Sequence, residues 1–356
     1  MSFILAGQAF PSTEKLPSYL ENSLKQIKPE EVYQLCKIIS SSAFAGRLTG
    51  DEGYTQAAHW AAKKFRQWKL KPISQNGYLQ PYPSPYSIID EAEMTLYLPE
   101  KDNSGPQKLQ PVKDFLPLLF SDSGDQEGEV VFAGWGISAP ELGYDDYTDL
   151  EVKGKFVLCF RGTPNPRDKR FQPHDQHRHR MATAKAKGAL GLIYIYPNPL
   201  ANPNGDRITG FTPAIISEKI ADLILQEKGV TAAELKKDLQ TYQRPLSFPL
   251  KSRIHFRVKA RYFPEGKGFN IVGFIPGRDP HLKNEFLVYG AHFDHCGAHL
   301  GKVFPGADDN ASGSAVVMAL ARAFARLKLR PKRSVAFVLF GGEEMGLQGS
   351  RYFVDH

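Results

Sequence analysis

The apolar positions of this chain change period along its length. After Lys28-Pro-Glu-Glu31, which reads as a helix start, Val32, Leu35, Cys36 and Ile39 recur at helical spacing. Ala45-Gly-Arg-Leu-Thr-Gly-Asp-Glu-Gly53 then interrupts the pattern as a glycine-rich polar loop. It leads into an Ala-rich amphipathic helix over residues 54–68, which ends ahead of Lys71-Pro72 as a helix approaching proline should. From residue 81 to 130 short strands alternate with proline and glycine. Beyond them, Gly128–Ile137 and Lys153–Gly162 read as strands, residues 181–187 as a short helix, and Gly188–Tyr196 as glycine followed by a buried strand. That rhythm predicts an α/β module of its own.

A third pattern begins near Gly268. Phe269–Ile275 and Phe286–Gly290 are apolar strands, and residues 312–327 carry apolar Val316, Val317, Leu320, Phe324 and Leu327 at helical spacing. Ser334-Val-Ala-Phe-Val-Leu-Phe340 is apolar throughout, the mark of a strand buried on both faces and central in its sheet. Strand, helix, strand in this order predicts a parallel pair joined by a crossover.

Three polar clusters punctuate this last segment: Gly290-Ala-His-Phe-Asp-His-Cys-Gly297, Gly306-Ala-Asp-Asp-Asn-Ala-Ser-Gly313 and Gly341-Gly-Glu-Glu-Met-Gly346. Sites in open α/β sheets gather beyond the carboxyl ends of strands. His292 and the Glu343–Glu344 pair both lie just past such ends, and Asp309 lies just before a helix. Singly, a Glu-Glu pair is ordinary solvated surface and Asp-Asp-Asn an ordinary turn or helix cap. Together, one imidazole and several carboxylates suit a divalent zinc site, or two ions bridged by a carboxylate. Asp294 is spaced to support His292 from behind by accepting its ring N–H. Of two adjacent glutamates, one can bind metal while the other takes a proton from water. Gly341-Gly342 allows the sharp turn that would set both at a buried edge.

In order and spacing the three clusters resemble those of the M28 metallopeptidases. The flanking Asn270-Ile-Val-Gly-Phe-Ile-Pro-Gly277 and Leu347-Gln-Gly-Ser-Arg-Tyr-Phe353 match too, and Ala45-Gly-Arg-Leu-Thr-Gly50 resembles the family's N-terminal portion. Residues 115–260, with Gly143-Tyr-Asp-Asp-Tyr147 and Val152-Lys-Gly-Lys155, resemble the protease-associated (PA) domain often inserted there. The resemblance implies an α/β fold: a mixed central sheet flanked by helices, the zinc-peptidase fold, incomplete at the C-terminus, with an inserted PA-type, β-rich α/β domain. It divides the chain into residues 1–114 (N-terminal part of the peptidase domain), 115–260 (PA-like insert) and 261–356 (the zinc-peptidase core). It implies two Zn2+ ions: His292 on one, Asp309 bridging, Glu344 on the other. Glu343 would be the general base and Asp294 the carboxylate behind His292, both catalytic. Asp308, displaced by one, would not be a ligand, and His295 and His299 would line the site. The family uses a further Asp and then a His from later strands. The chain ends at His356 before that Asp, and Asp355 and His356 come too early to replace the pair, so the expectation is a fragment of a longer parent. The activity implied is peptide-bond hydrolysis of peptide or protein substrates, with aminopeptidase action foremost.

Two rival readings differ in class. A receptor-like relative without chemistry would tend to have lost one of His292, Asp309, Glu343 and Glu344, all of which are here. A glutaminyl-cyclase-like transferase with a single zinc would lack the insert. Composition alters little: 42% hydrophobic and 23% charged residues are ordinary for a globular chain. The net charge of +7 is spread along the sequence without a nucleic-acid-binding motif, so no nucleic-acid partner is expected. No apolar run reaches the ~20 residues of a membrane span. Phe3-Ile-Leu-Ala-Gly-Gln-Ala-Phe10 resembles the tail of a secretory signal, pointing to a secreted or periplasmic protein. Cys36, Cys159 and Cys296 match no zinc-finger spacing, and Cys159 reads as a core strand position. His174, His177 and His179, set among charges and proline, read as an exposed loop.

Overall fold

The computed structural model describes residues 21, 25–75, 77–99 and 105–356; the signal-like segment at residues 3–10 lies outside them. Two helices, α1 (Pro29–Ile39) and α2 (Glu52–Gln67), precede β1 (Lys71–Pro72) and β2 (Leu79–Pro83). A second unit then opens with β3 (Tyr86–Tyr97), β4 (Gln107–Leu109), β5 (Phe115–Pro117) and β6 (Gly124–Ala133). The short β7 (Ser138–Ala139) and β8 (Tyr144–Asp145) follow, then β9 (Phe156–Phe160), α3 (His177–Ala186), β10 (Gly191–Tyr196) and β11 (Ala214–Ser217). After α4 (Glu218–Leu225) and α5 (Ala232–Tyr242), the long β12 (Ser247–Phe263) closes this unit. The chain returns through β13 (Lys267–Ile275), β14 (Phe286–His292), β15 (Gly297–His299), β16 (Lys302–Phe304), α6 (Gly313–Ala325), β17 (Ser334–Phe340) and α7 (Gln348–Asp355).

The first sheet runs β1-β13-β17-β14, with β2 also paired to β13. Its β13–β17 pairing is antiparallel and its β14–β17 pairing parallel, so the sheet is mixed and β17 is central. The alternation of β17 divides its side chains between two faces. Val335, Phe337 and Leu339 join the core built with α1, α2 and α6. Phe340 points the other way and meets Phe353 of α7, with ring centroids 5.6 Å apart. Helices therefore flank both faces. β14 is an edge strand whose Phe286, Leu287, Val288 and Tyr289 are exposed.

The second sheet has eight strands in the order β4-β3-β12-β6-β9-β10-β11-β5, parallel from β6 to β11 and antiparallel outside them. Its central β9 is apolar and buried at every position because both faces are covered. Phe156, Leu158 and Phe160 enter one core, while Val157 and Cys159 enter the other. By hydrogen bonding this unit runs from Tyr86 to Phe263, beginning earlier than the 115–260 expected from the sequence, because β3 and β4 pair into it. The chain enters and leaves at one place. Ser84 N donates to Gly266 O at 2.8 Å, and Tyr86 stacks on Phe263 with centroids 4.7 Å apart. Adjacent ends are what allow one unit to be inserted into another.

Candidate metal centre

β14 and β17 are parallel, and His292 is in register with Phe340. Both strands therefore end at the same level, and the loops that follow them emerge side by side. His292 is the last residue of β14, and Glu343 and Glu344 follow β17 after Gly341 and Gly342. The two glycines are required. A Cβ on Gly341 would lie 2.2 Å from the Tyr54 hydroxyl, and Gly342 has φ +64°. Gly342 N donates to Thr49 Oγ1 at 2.8 Å, fastening the turn to the N-terminal loop.

Asp294 is fully buried. Its Oδ1 accepts from Glu343 N at 3.1 Å and its Oδ2 from Glu344 N at 3.2 Å. One carboxylate thus spans the β14 and β17 loops and fixes the backbone of both glutamates. The sequence reading set this carboxylate on the His292 ring; it stands 3.6 Å from Nδ1, while the nearer acceptor is the Asp294 carbonyl at 3.3 Å. The ring is oriented by Asp294 either way, and Nε2 faces outward. There it meets Asp309 Oδ1 at 2.9 Å, with Glu343 Oε2 at 4.0 Å. Burial opposes a charge on His292, but Asp294, Glu343 and Asp309 outweigh it and hold the pKa up at about 9. Burial, together with Asp294, Glu344 and Asp309, pushes the Glu343 carboxyl above its ordinary value against the pull of His292.

Asp309 sits on a π-type turn, Ala307–Ser312, that leads into α6; its φ/ψ of −110°/97° is not helical, and its side chain is 66% exposed. Ser314 Oγ, in the first turn of α6, donates to His292 O at 2.6 Å and joins that helix to the end of β14. Glu344 is more enclosed, with its Oε1 2.7 Å from His295 Nδ1. The ligand atoms of His295, Cys296 and Glu344 lie within 4.8 Å of one another. His295 was expected to line the site, and the structure sets it directly on a candidate ligand. The His-x-Asp-His spacing was the available signal for that. His299 is buried instead, with Nδ1 accepting from Ile89 N and Nε2 bonded to Cys296 O.

The structure therefore brings His292, Asp294, Asp309 and Glu343 into one cluster and sets Glu344 beside it through the Asp294 clamp. An imidazole nitrogen facing two carboxylates, with a third adjacent, is a donor set that fits a divalent cation. The other histidine group differs from its expected exposed loop. It lies on a 3₁₀ turn and the start of α3, with His177 buried against Tyr194 and His174 between Glu141 and His179. The two His174 nitrogens go to different partners and do not share a common centre.

Beside Met345 a cleft of about 220 Å³ opens between the two sheets, with Leu48 and Gln348 on one side and Phe120 and Arg207 of the second unit on the other. Cys296 Sγ reaches Ala201 O at 3.6 Å, so the second unit also touches the β14 loop.

Residues 270–356 match the model of Peptidase family M28. Aminopeptidase YwaD of Bacillus subtilis (strain 168) is 29% identical over 325 residues, covering 89% of this chain and 55% of YwaD. The chain thus spans about half the length of that relative. Among solved structures, a Peptidase M28 precursor from Shewanella amazonensis SB2B superposes with a TM-score of 0.67 at 21% identity, covering 95% of this chain and 70% of that one. BSAP, a zinc aminopeptidase from Bacillus subtilis, gives 0.54 at 21% identity over 96% of this chain and 66% of BSAP. These two likenesses concern the fold. The match to the M28 family model over residues 270–356 takes in His292, Asp294, Asp309, Glu343 and Glu344 together, so the part of the chain that is similar to this family is the part that carries the cluster.

Proposed function

We propose that this chain carries the metal centre and general base of a zinc-dependent peptidase acting as an aminopeptidase on peptide or protein substrates. The observation that supports it best is the Asp294 clamp, which holds two adjacent glutamates beside an outward-facing His292 Nε2 and the Asp309 carboxylate. His292, Asp309 and Glu344 would hold zinc, with Asp309 between two ions; the zinc aminopeptidase among the similar structures supports the choice of metal. Zinc, when bound, supplies a Lewis acid that makes water nucleophilic near neutral pH and polarises the peptide carbonyl.

The chain's own residues do the rest. As the water oxygen attacks the carbonyl carbon, the Glu343 carboxylate takes its proton. It then returns that proton to the leaving amine nitrogen as the C–N bond breaks, ending ionised as it began. Burial and the neighbouring carboxylates raise the Glu343 pKa, which makes it a better proton acceptor than an ordinary glutamate. Asp294 keeps the glutamate backbone in place by two N–H bonds and orients His292. The unit from Tyr86 to Phe263 is read as a PA-type insert that walls one side of the cleft beside Met345 and so selects substrates. A location outside the cytoplasm belongs to the same reading, supported by the precursor form of the Shewanella relative.

The test separates the two glutamates. In a chain that hydrolyses peptides, Glu343→Gln keeps zinc and loses about 10²–10⁴-fold in turnover, since an amide cannot take the proton. Glu344→Gln weakens one metal site, because a neutral amide is a poor zinc ligand. Metal analysis alongside peptide hydrolysis reads both. Full activity and full metal content in both variants would remove the site from these residues.

A further inference from the structure

Among the described residues, Arg47 is a fully buried cation next to the candidate metal centre that the chemistry above leaves without a role. Its guanidinium reaches three separate segments. Nε donates to Phe293 O at 2.7 Å, Nη1 to Ile39 O at 2.7 Å and to Pro305 O at 2.9 Å, and Nη2 to Gly306 O at 2.9 Å. Phe293 follows His292, Pro305 and Gly306 lead into the turn that carries Asp309, and Ile39 ends α1. The Arg47 backbone adds to this: its carbonyl accepts from His295 N at 3.0 Å, and Gly46 O accepts from Gly297 N at 3.0 Å.

Among the described residues Arg47 forms no ion pair. All four bonds go to backbone carbonyls. Burial lowers its pKa to about 10, so it stays charged at neutral pH. A buried charge is costly unless its donors are satisfied, and four of the five guanidinium N–H groups are. Here the return is geometric, because the planar fork ties carbonyls of three segments to one rigid group, which a lysine ammonium with three donors on a single atom cannot do. Its positive charge also lies near Asp294 and Glu344, where carboxylates crowd.

We propose that Arg47 is a positioning residue of the metal centre: it sets the separation between the His292 loop and the Asp309 turn at the value a bound ion requires. This rests on the reading of those residues as ligands. Partners of ligand-bearing groups are worth about 10–100-fold in metal affinity. A residue that merely fills the core would move stability and leave that affinity alone.

The experiment uses the full chain, stripped of metal and titrated with zinc against a chromogenic chelator. Visible absorption of the cobalt-loaded protein reports ligand geometry, and thermal unfolding of the metal-free protein reports the fold. Arg47→Lys is expected to bind zinc about 10–100-fold more weakly and to shift the cobalt spectrum. Wild-type zinc affinity and an unchanged cobalt spectrum in Arg47→Lys overturn the proposal, whatever happens to its metal-free melting temperature. If Arg47→Lys does not fold, Arg47→Ala is refolded in millimolar guanidinium. Zinc affinity that rises with guanidinium concentration supports the clamp, and affinity independent of it overturns the clamp. A wild-type chain that takes up no zinc overturns the metal-centre reading itself, and the clamp with it.

Discussion

Acidification should loosen the contact between the His292 loop and the second unit through one residue, His299. It closes the β15–β16 hairpin that follows the His292 loop, and it is 1% exposed. Its Nδ1 accepts from Ile89 N of β3 at 3.0 Å and its Nε2 bonds Cys296 O at 2.9 Å, so both nitrogens are used by the neutral ring. Burial drives its pKa from 6.5 down to about 4, against the pull of Cys296 O and Asp90. A folded pKa below the unfolded one means that the unfolded chain binds the proton first. The contribution is therefore complete above 6.5 and lost as pH falls from 6.5 through about 4. At 1.36 kcal/mol per unit, the gap is worth about 3 kcal/mol. His299→Asn keeps an acceptor where Nδ1 was but does not titrate, and it leaves Cys296 O without its donor, at a cost of about 1–3 kcal/mol near neutrality. Urea unfolding of both proteins, followed by tryptophan fluorescence from about pH 7 to about pH 4, measures the difference. The stability of the wild type relative to the variant should fall by about 3 kcal/mol over that range, abolishing or reversing its advantage. Other titrating groups, such as the buried His177, are common to both proteins and cancel. A stability difference that stays constant across the range would refute the reasoning.

Asp294→Asn leaves one oxygen to serve two backbone N–H groups and turns an NH2 toward the other, so zinc affinity should fall about 10–100-fold in a chelator competition. Gly46→Ala would set a Cβ 2.3 Å from Gly297 O at a φ of +73°, and thermal unfolding should register a loss of at least about 1–3 kcal/mol. Replacing residues 86–263 by a short linker across the Ser84–Gly266 junction should leave zinc content intact while altering which peptides are cut, since every proposed ligand lies outside that unit. Loss of zinc from a folded protein of that kind would contradict it.

The three polar clusters were legible because each stands at a break in an apolar pattern. β17 is apolar throughout, and only an end of such a strand can carry Gly-Gly-Glu-Glu into a sharp turn. Its central place in the sheet and its parallel pairing with β14 were readable for the same reason. Helix starts were less secure: α3 begins at His177 rather than at residue 181, because the sequence of its first turn is as charged as a loop. The start of the second unit was hidden, since β3 alternates apolar and polar like any half-buried strand and nothing local says which sheet it joins. Only long-range pairing decides that.

The same limit applies within the site. Residue type and spacing named His292, Asp309 and the glutamate pair, because metal chemistry restricts the donors. They could not show that Asp294 would spend its carboxylate on two backbone N–H groups from a loop some fifty residues away. Nor could they show that Arg47, in an early glycine-rich loop, would have its guanidinium buried among carbonyls of segments distant in sequence. The donor set is local chemistry, written in short motifs. The spacing of those donors is set by hydrogen bonds between loops that meet only after the sheet has formed, and that is a property of the fold.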